Sequence, residues 1–178
     1  MIQITDVRDR RMNRLQRLAR RQEREALVYV EAPVYKDLRN VKSVFLAGGI
    51  SGCEPWQDYV TKALKDLDIA VLNPRRKNFP MDDPGAAFTQ IKWEHDNLRK
   101  ADSICFWFCK ETECPIVLYE LGAWSMTSKP IVIGIDPNYS RKQDVEIQTK
   151  LVRPDVKVVY SLDDMIELTR KMLSEIEE

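Results

Sequence analysis

VKSVFLAGGISGCEPW, residues 41–56, begins as a strand and ends as the start of a helix. Val44, Phe45, Leu46 and Ala47 form a continuous apolar run, the pattern of a strand buried on both faces. Gly48, Gly49 and Gly52 follow within five residues, where the chain must turn and where a missing Cβ allows close backbone approach. Trp56, Tyr59, Val60, Ala63, Leu64 and Leu67 then recur on one side of a helix. Strand, glycine turn and amphipathic helix make one βα unit, and the fold depends on whether that unit repeats.

It does repeat. IAVLNP (69–74) is a second strand stopped by Pro74, and GAAFTQIKWEHDNLRKAD (85–102) is a second helix. SICFWFC (103–109) is a third strand, and PIVLYELGAWSMTS (115–128) a third helix with Pro115 at its first position. PIVIGID (130–136) and VKVVY (156–160) supply the fourth and fifth strands, with a short helix between them. In the last helix Ser161 is placed to cap, and Asp163 and Asp164 lie in the first turn. This alternation predicts an α/β fold: a Rossmann/flavodoxin-like three-layer sandwich around a five-stranded parallel sheet, with right-handed crossovers. The expected strand order is 2-1-3-4-5, with a ligand crevice outside the carboxyl ends of strands one and three. Residues 1–40 read as a separate Arg-rich helical extension, and 41–178 as the domain.

The totals narrow the function classes. The chain has 178 residues and a net charge of zero, which gives the whole protein no attraction to nucleic acid or membrane. Its N-terminus is polar and Arg-rich, unlike a signal peptide, and no apolar run is long enough to span a membrane, so a cytoplasmic location is expected. Residues 8–24 hold eight Arg, a stretch better suited to packing against a neighbouring subunit than to nucleic acid. Four Cys without CxxC spacing and a single His, His95, give no reason to expect a metal or other cofactor, and Cys105 and Cys109 read as core thiols.

Candidate site residues gather at the carboxyl ends of the strands. The loop Gly48, Gly49, Ile50, Ser51 and Gly52 leads into a helix N-terminus, where free N–H groups can hold an anion or hydroxyl. It is neither GxGxxG nor a P-loop. Asn73, Arg75 and Arg76 close the second strand, and the arginines can face a phosphate or carboxylate. The second helix carries Glu94 and Asp96, which spacing alone leaves as ordinary surface acids. Glu120 stands apart. It lies in the most apolar helix, expected to be largely buried, where a carboxylate is costly unless it is paired or aimed into a cleft.

Together FLAGGISG, NPRR, FTQIKWEHDNLRKAD, ICFWF, YELG and KPIVIGIDPNYSR resemble the nucleoside 2-deoxyribosyltransferase-like family, over residues from about 42 to 170. The resemblance implies that Glu120, the acid of the ELG element, is a nucleophile towards the anomeric carbon of a 2-deoxyribonucleoside. It implies that an upstream acid, Glu94 or in another register Asp96, contacts the sugar or the departing base. The resemblance puts the glycine loop on the sugar or phosphate side; as a separate expectation, Ser51, Arg75 and Arg76 read a 5-phosphate, which makes deoxynucleoside 5-monophosphates the substrates. The resemblance also implies a homo-oligomer. Transferases of the family carry an Asp six residues before the nucleophile to read the base, and here that residue is Cys114.

The chemistry suits these groups. A carboxylate beside the anomeric carbon stabilises an oxocarbenium-like transition state and can trap it, while a second carboxyl protonates the leaving base. The acceptor sets the outcome: another base gives transfer, and water gives hydrolysis. A non-catalytic nucleotide-binding module is the competing expectation.

Overall fold

A computed structural model describes residues 27–176. The expected helix of the Arg-rich stretch lies outside these residues.

Among the described residues the sheet is parallel throughout and has six strands, not five. They are β1 (Leu27–Glu31), β2 (Ser43–Gly48), β3 (Ile69–Asn73), β4 (Ser103–Phe108), β5 (Ile131–Ile135) and β6 (Val158–Val159), in the order β1-β3-β2-β4-β5-β6. The five expected strands keep the expected order, and the sixth is added at one edge. That strand comes from LVYVE, within the stretch read as a helical extension. Every residue of β3 is buried, so its outer edge needs hydrogen-bond partners, and β1 supplies them from Leu27↔Ile69 through Glu31↔Asn73.

Five helices among the described residues cover the sheet: α1 (Trp56–Ala63), α2 (Ala86–Lys100), α3 (Pro115–Ser125), α4 (Lys142–Val152) and α5 (Leu162–Glu175). α1 packs beside α5, tied by Tyr59 Oη donating to Asp163 (2.6 Å) and by the Arg170–Asp66 pair (2.6 Å). Right-handed crossovers place α2, α3 and α4 on the opposite face. Trp93 of α2 is wholly buried there against the Phe45 ring, and its indole N–H donates to the Val34 carbonyl (2.6 Å). Ser161 caps α5 as expected, accepting from the Asp164 amide at 3.1 Å.

α3 is only half buried, contrary to the sequence reading. Val117 and Leu121 face the sheet, while Ile116 (62% exposed), Tyr119 (79%) and Met126 (76%) form an apolar outer stripe. A helix on the outside of a three-layer sandwich has only one face to give the sheet. Its apolar outer side therefore has no partner among the described residues.

The far ends of α2 and α3 are joined by one side chain. The Lys129 ammonium donates to the carbonyls of Leu98 (2.8 Å), Arg99 (3.0 Å) and Ala101 at the end of α2. It also lies over the Trp124 ring of α3, 4.8 Å from its centre. A cation at a helix C-terminus satisfies carbonyls with no intrahelical partner, and here it also fixes the neighbouring helix. Asp102 holds the same end to the sheet, accepting from both the amide and the hydroxyl of Ser43 at 2.7 Å.

Candidate active site

The two helices fixed in this way carry the two central carboxyls. Glu94 lies in the third turn of α2, and Glu120 lies midway along α3. They are near enough to repel. Burial, and then the charge of Glu94, push the Glu120 carboxyl up to about 8. Burial also raises Glu94, but a hydrogen bond from the Gln90 amide opposes the rise. Two carboxyls in one poorly solvated site do not both ionise near neutrality. The Gln90 N–H favours charge on Glu94, so in the free protein it is Glu120 that holds a proton near neutrality.

Gln90 is a site residue that the sequence reading missed. Its Nε2 donates to Glu94 Oε1 (2.8 Å) and to the Pro74 carbonyl (2.7 Å), joining the acid to the end of β3. The available signal was its position four residues before Glu94, on the same helix face.

Asp96 is not brought to the site. Two helical residues span about 200°, so Asp96 points away from the side that carries Glu94. It binds Lys92 (2.7 Å), the Tyr35 hydroxyl (3.0 Å) and His95 (3.2 Å), and these bonds hold its carboxyl far below the usual range. An acid so held has no proton to donate near neutrality. His95 is exposed, with its other ring nitrogen bonded to Arg99 (2.9 Å).

The glycine loop is held from beneath by the protein itself. The Gly49 carbonyl accepts from Trp56 Nε1 (3.0 Å) and from the wholly buried Gln57 (3.2 Å). A Cβ on Gly48 would run into the Trp56 ring and the Trp107 carbonyl, and one on Gly49 into the sulfurs of Cys53 and Cys109. Both glycines therefore make room for internal packing as well as for a turn. Gly52 has φ +76°, the left-handed region, with open space around it, and Ser51 beside it is exposed. Ile50 is half-buried.

Asn73 and Arg75 serve the framework. Asn73 is buried, donates to the Tyr29 hydroxyl of β1 (2.8 Å) and accepts from the Arg75 amide (2.9 Å). The Arg75 guanidinium donates to the carbonyls of Cys53 and Glu54, both at 2.9 Å, and to Gln57 Oε1 at 3.3 Å. It thus braces the glycine loop rather than waiting for an anion. Arg75→Ala is expected to lower stability by about 1–3 kcal/mol, because hydrogen bonds from a charged donor are lost and buried acceptors are stranded. Arg75→Lys should not restore it, since an ammonium cannot reproduce the fork. Urea unfolding midpoints of the three proteins check this. Arg76 is differently placed. Its side chain stacks on the Phe79 ring, 5.3 Å from its centre, and its buried Nη1 has no hydrogen-bond partner among the described residues.

The remaining carboxyl-edge residues are cysteines. Cys53 and Cys109 are joined as a disulfide, and the Cys114 thiol lies 3.8 Å from Cys109. Cys114 takes the left-handed conformation (φ 48°) at the head of α3 and is buried. Cys109 is thus cross-linked rather than a simple core thiol. Cys105 is a core thiol, buried in β4 against the Thr169 hydroxyl (3.4 Å).

No helix among the described residues is long and apolar enough to cross a membrane. No curated protein matches the chain. A family model described as nucleoside 2-deoxyribosyltransferase like matches residues 41–139, which includes the glycine loop, β3, α2, β4 and α3. With more than half its length so matched, and with the half-buried acid pair inside the matched region, the chain belongs to the nucleoside 2-deoxyribosyltransferase-like family.

Proposed function

We propose that the protein cleaves the N-glycosidic bond of a 2-deoxyribonucleoside or its 5-monophosphate, with Glu120 as nucleophile and Glu94 as the acid that serves the leaving base. The observation that supports this reading is the pairing of two half-buried carboxyls, on two helices, the charge of one raising the other. Positive charge developing at an anomeric carbon beside Glu120 favours its anion, so Glu120 gives up its proton to solvent while Glu94 takes one up and passes it to the departing base nitrogen. The Glu120 carboxylate then bonds to the anomeric carbon, and an acceptor later displaces it with retention.

Hydrolysis is favoured over transfer by the surroundings of Cys114. At the position where transferases of the family carry a base-reading acid, this chain has a buried thiol packed beneath Gly49. Arg76 is the group suited to a 5-phosphate, given its unpartnered Nη1 and the commitment of Arg75 to the loop. The apolar stripe of Ile116, Tyr119 and Met126, with exposed Phe88 and Ile91 on α2, supports a homo-oligomer.

The test is a product assay over deoxynucleosides and deoxynucleoside monophosphates, with and without a second free base. Free base should be released from a monophosphate, and a second base should leave the product unchanged. Arg76→Ala should lower kcat/KM for the monophosphate by about 10-fold or more, the scale of one lost charge-assisted hydrogen bond, and leave the nucleoside nearly unaffected. No release from any substrate overturns the reading. Formation of a new nucleoside overturns only the preference for water.

A further inference from the structure

Three sulfurs that the sequence keeps apart converge beneath the glycine loop. Cys53 ends that loop, Cys109 follows β4, and Cys114 heads α3. Cys53 and Cys109 form the disulfide, and the Cys114 sulfur lies 3.8 Å from that of Cys109. All three residues are buried. A Cβ on Gly49 would meet all three sulfurs, so that glycine is what lets them share one space. The reaction proposed above makes no use of a free thiol held against a disulfide.

We propose that the cluster is a thiol–disulfide relay, in which Cys114 takes Cys109 from Cys53 and so releases the glycine loop from the end of β4. Three observations carry this. First, exchange needs a thiol within reach of one sulfur of the bond, and the Cys114 thiol stands beside Cys109. Cys109 is therefore the sulfur that changes partner, and Cys53 is the one released. Second, the thiol has a hydrogen-bond acceptor on either side of the step. The Cys114 thiol donates to the Thr112 carbonyl at 3.6 Å, and the Ser51 carbonyl lies 3.8 Å from the Cys53 sulfur, where it can accept from the thiol that exchange produces. Third, Cys114 holds the left-handed conformation although it has a Cβ, and it does not cap the helix it heads. Such a backbone is costly and persists where the surroundings fix it, a pattern concentrated at working sites.

Burial pushes the Cys114 thiol up, so little of it is thiolate near neutrality. Two effects offset this. A nucleophile held against its target reacts as though at very high concentration. A thiolate of high pKa is also the stronger nucleophile.

The step balances without an oxidant or a reductant. The Cys114 thiolate bonds to the Cys109 sulfur as the Cys109–Cys53 bond breaks, and the electron pair leaves on Cys53. The proton that Cys114 loses is matched by the one that Cys53 takes up. A link between residues 56 apart becomes one between residues five apart. The glycine loop then keeps its hydrogen bonds from Trp56, Gln57 and Arg75 but loses its covalent tie to the sheet.

The full-length chain, free of reductant, is held in mild alkali, quenched in acid and alkylated with a maleimide in denaturant. Trypsin cuts after Lys110, so Cys53, Cys109 and Cys114 fall on separate peptides. The expected result is label on Cys53 together with a peptide pair linked through Cys109 and Cys114, beside the original pair. Cys114→Ser should lose the Cys53 label, while Cys105→Ser keeps it. Should Cys114→Ser fail to fold, the linked peptides of the wild type decide alone, with far-UV circular dichroism to show that it was folded before the quench. Folded wild type that yields only the Cys53–Cys109 pair overturns the relay. So does Cys53 label that survives in folded Cys114→Ser, and so does a chain in which all three cysteines carry label. Each of these results leaves the glycosidic-bond reading untouched.

Discussion

Glu120→Gln should lower turnover by about 10⁴-fold or more, the scale seen when a nucleophile is removed from a working site. The substitution keeps the shape of the side chain and removes its ability to bond to carbon as an anion. The loss should fall on kcat, with substrate still bound, because Glu120 acts on charge that exists only in the transition state. Release of free base from a deoxynucleoside monophosphate measures it. Glu94→Gln should cost about 10²–10⁴-fold, the range for a general acid. It should cost less with substrates whose leaving group departs without a proton, a dependence that Glu120→Gln should not share. Undiminished turnover in Glu120→Gln would remove the nucleophile assignment while leaving the family membership untouched.

The same variant should be more stable than the wild type in mild alkali. Burial beside Glu94 pushes Glu120 up to about 8, against 4.5 for an ordinary glutamate. Between those values the native state holds a proton that the unfolded chain has released, so stability falls as pH rises. The contribution is fully present below the unfolded value and is lost as pH climbs through the folded one. The amide of the Glu120→Gln variant has no such proton to lose. At about pH 5 the two proteins should unfold at nearly the same temperature. At about pH 8.5 the variant should gain roughly 2–4 kcal/mol, or about 5–15 °C. Thermal unfolding at the two pH values checks the sign as well as the size. A variant that gains nothing in alkali would mean that Glu120 is well solvated. The paired expectations, lost turnover and gained stability, are the mark of a group held in a costly place for its chemistry.

Much of this was legible in the sequence, for identifiable reasons. Strands β2 to β5 are continuous apolar runs, and runs of that length bounded by Gly and Pro have few other readings. Their order is the one that five-stranded sheets with this βα alternation often take. LVYVE was not legible as a strand, since it is short, mixed in polarity and adjacent to an Arg-rich stretch. Its strand character comes from β3, whose open edge is a tertiary fact. Glu120 stood out because a lone carboxylate breaks an apolar pattern, whereas Glu94 could not be told from Asp96 by spacing. The structure separates them through Tyr35 and Lys92, which hold Asp96 on the far side of α2. The arginines misled in part. NPRR reads as an anion site, yet Arg75 is occupied by carbonyls of a loop some twenty residues away in sequence, at 2.9 Å. Contacts of that range leave no periodic trace. The cysteine cluster was hidden for the same reason, since Cys53 is 56 residues from Cys109.

β1 also separates two ideas of what this molecule's unit is. The family match begins at residue 41, but β3 takes a full row of backbone partners from residues 27–31. A gene fragment cut at the start of the match would carry every acid and glycine discussed above and yet leave one margin of the sheet bare. A bare, apolar parallel margin is a template for any extended chain, its own copies first of all. The matched region and the stretch that completes the sheet are therefore different lengths of polypeptide, and the difference includes one short strand.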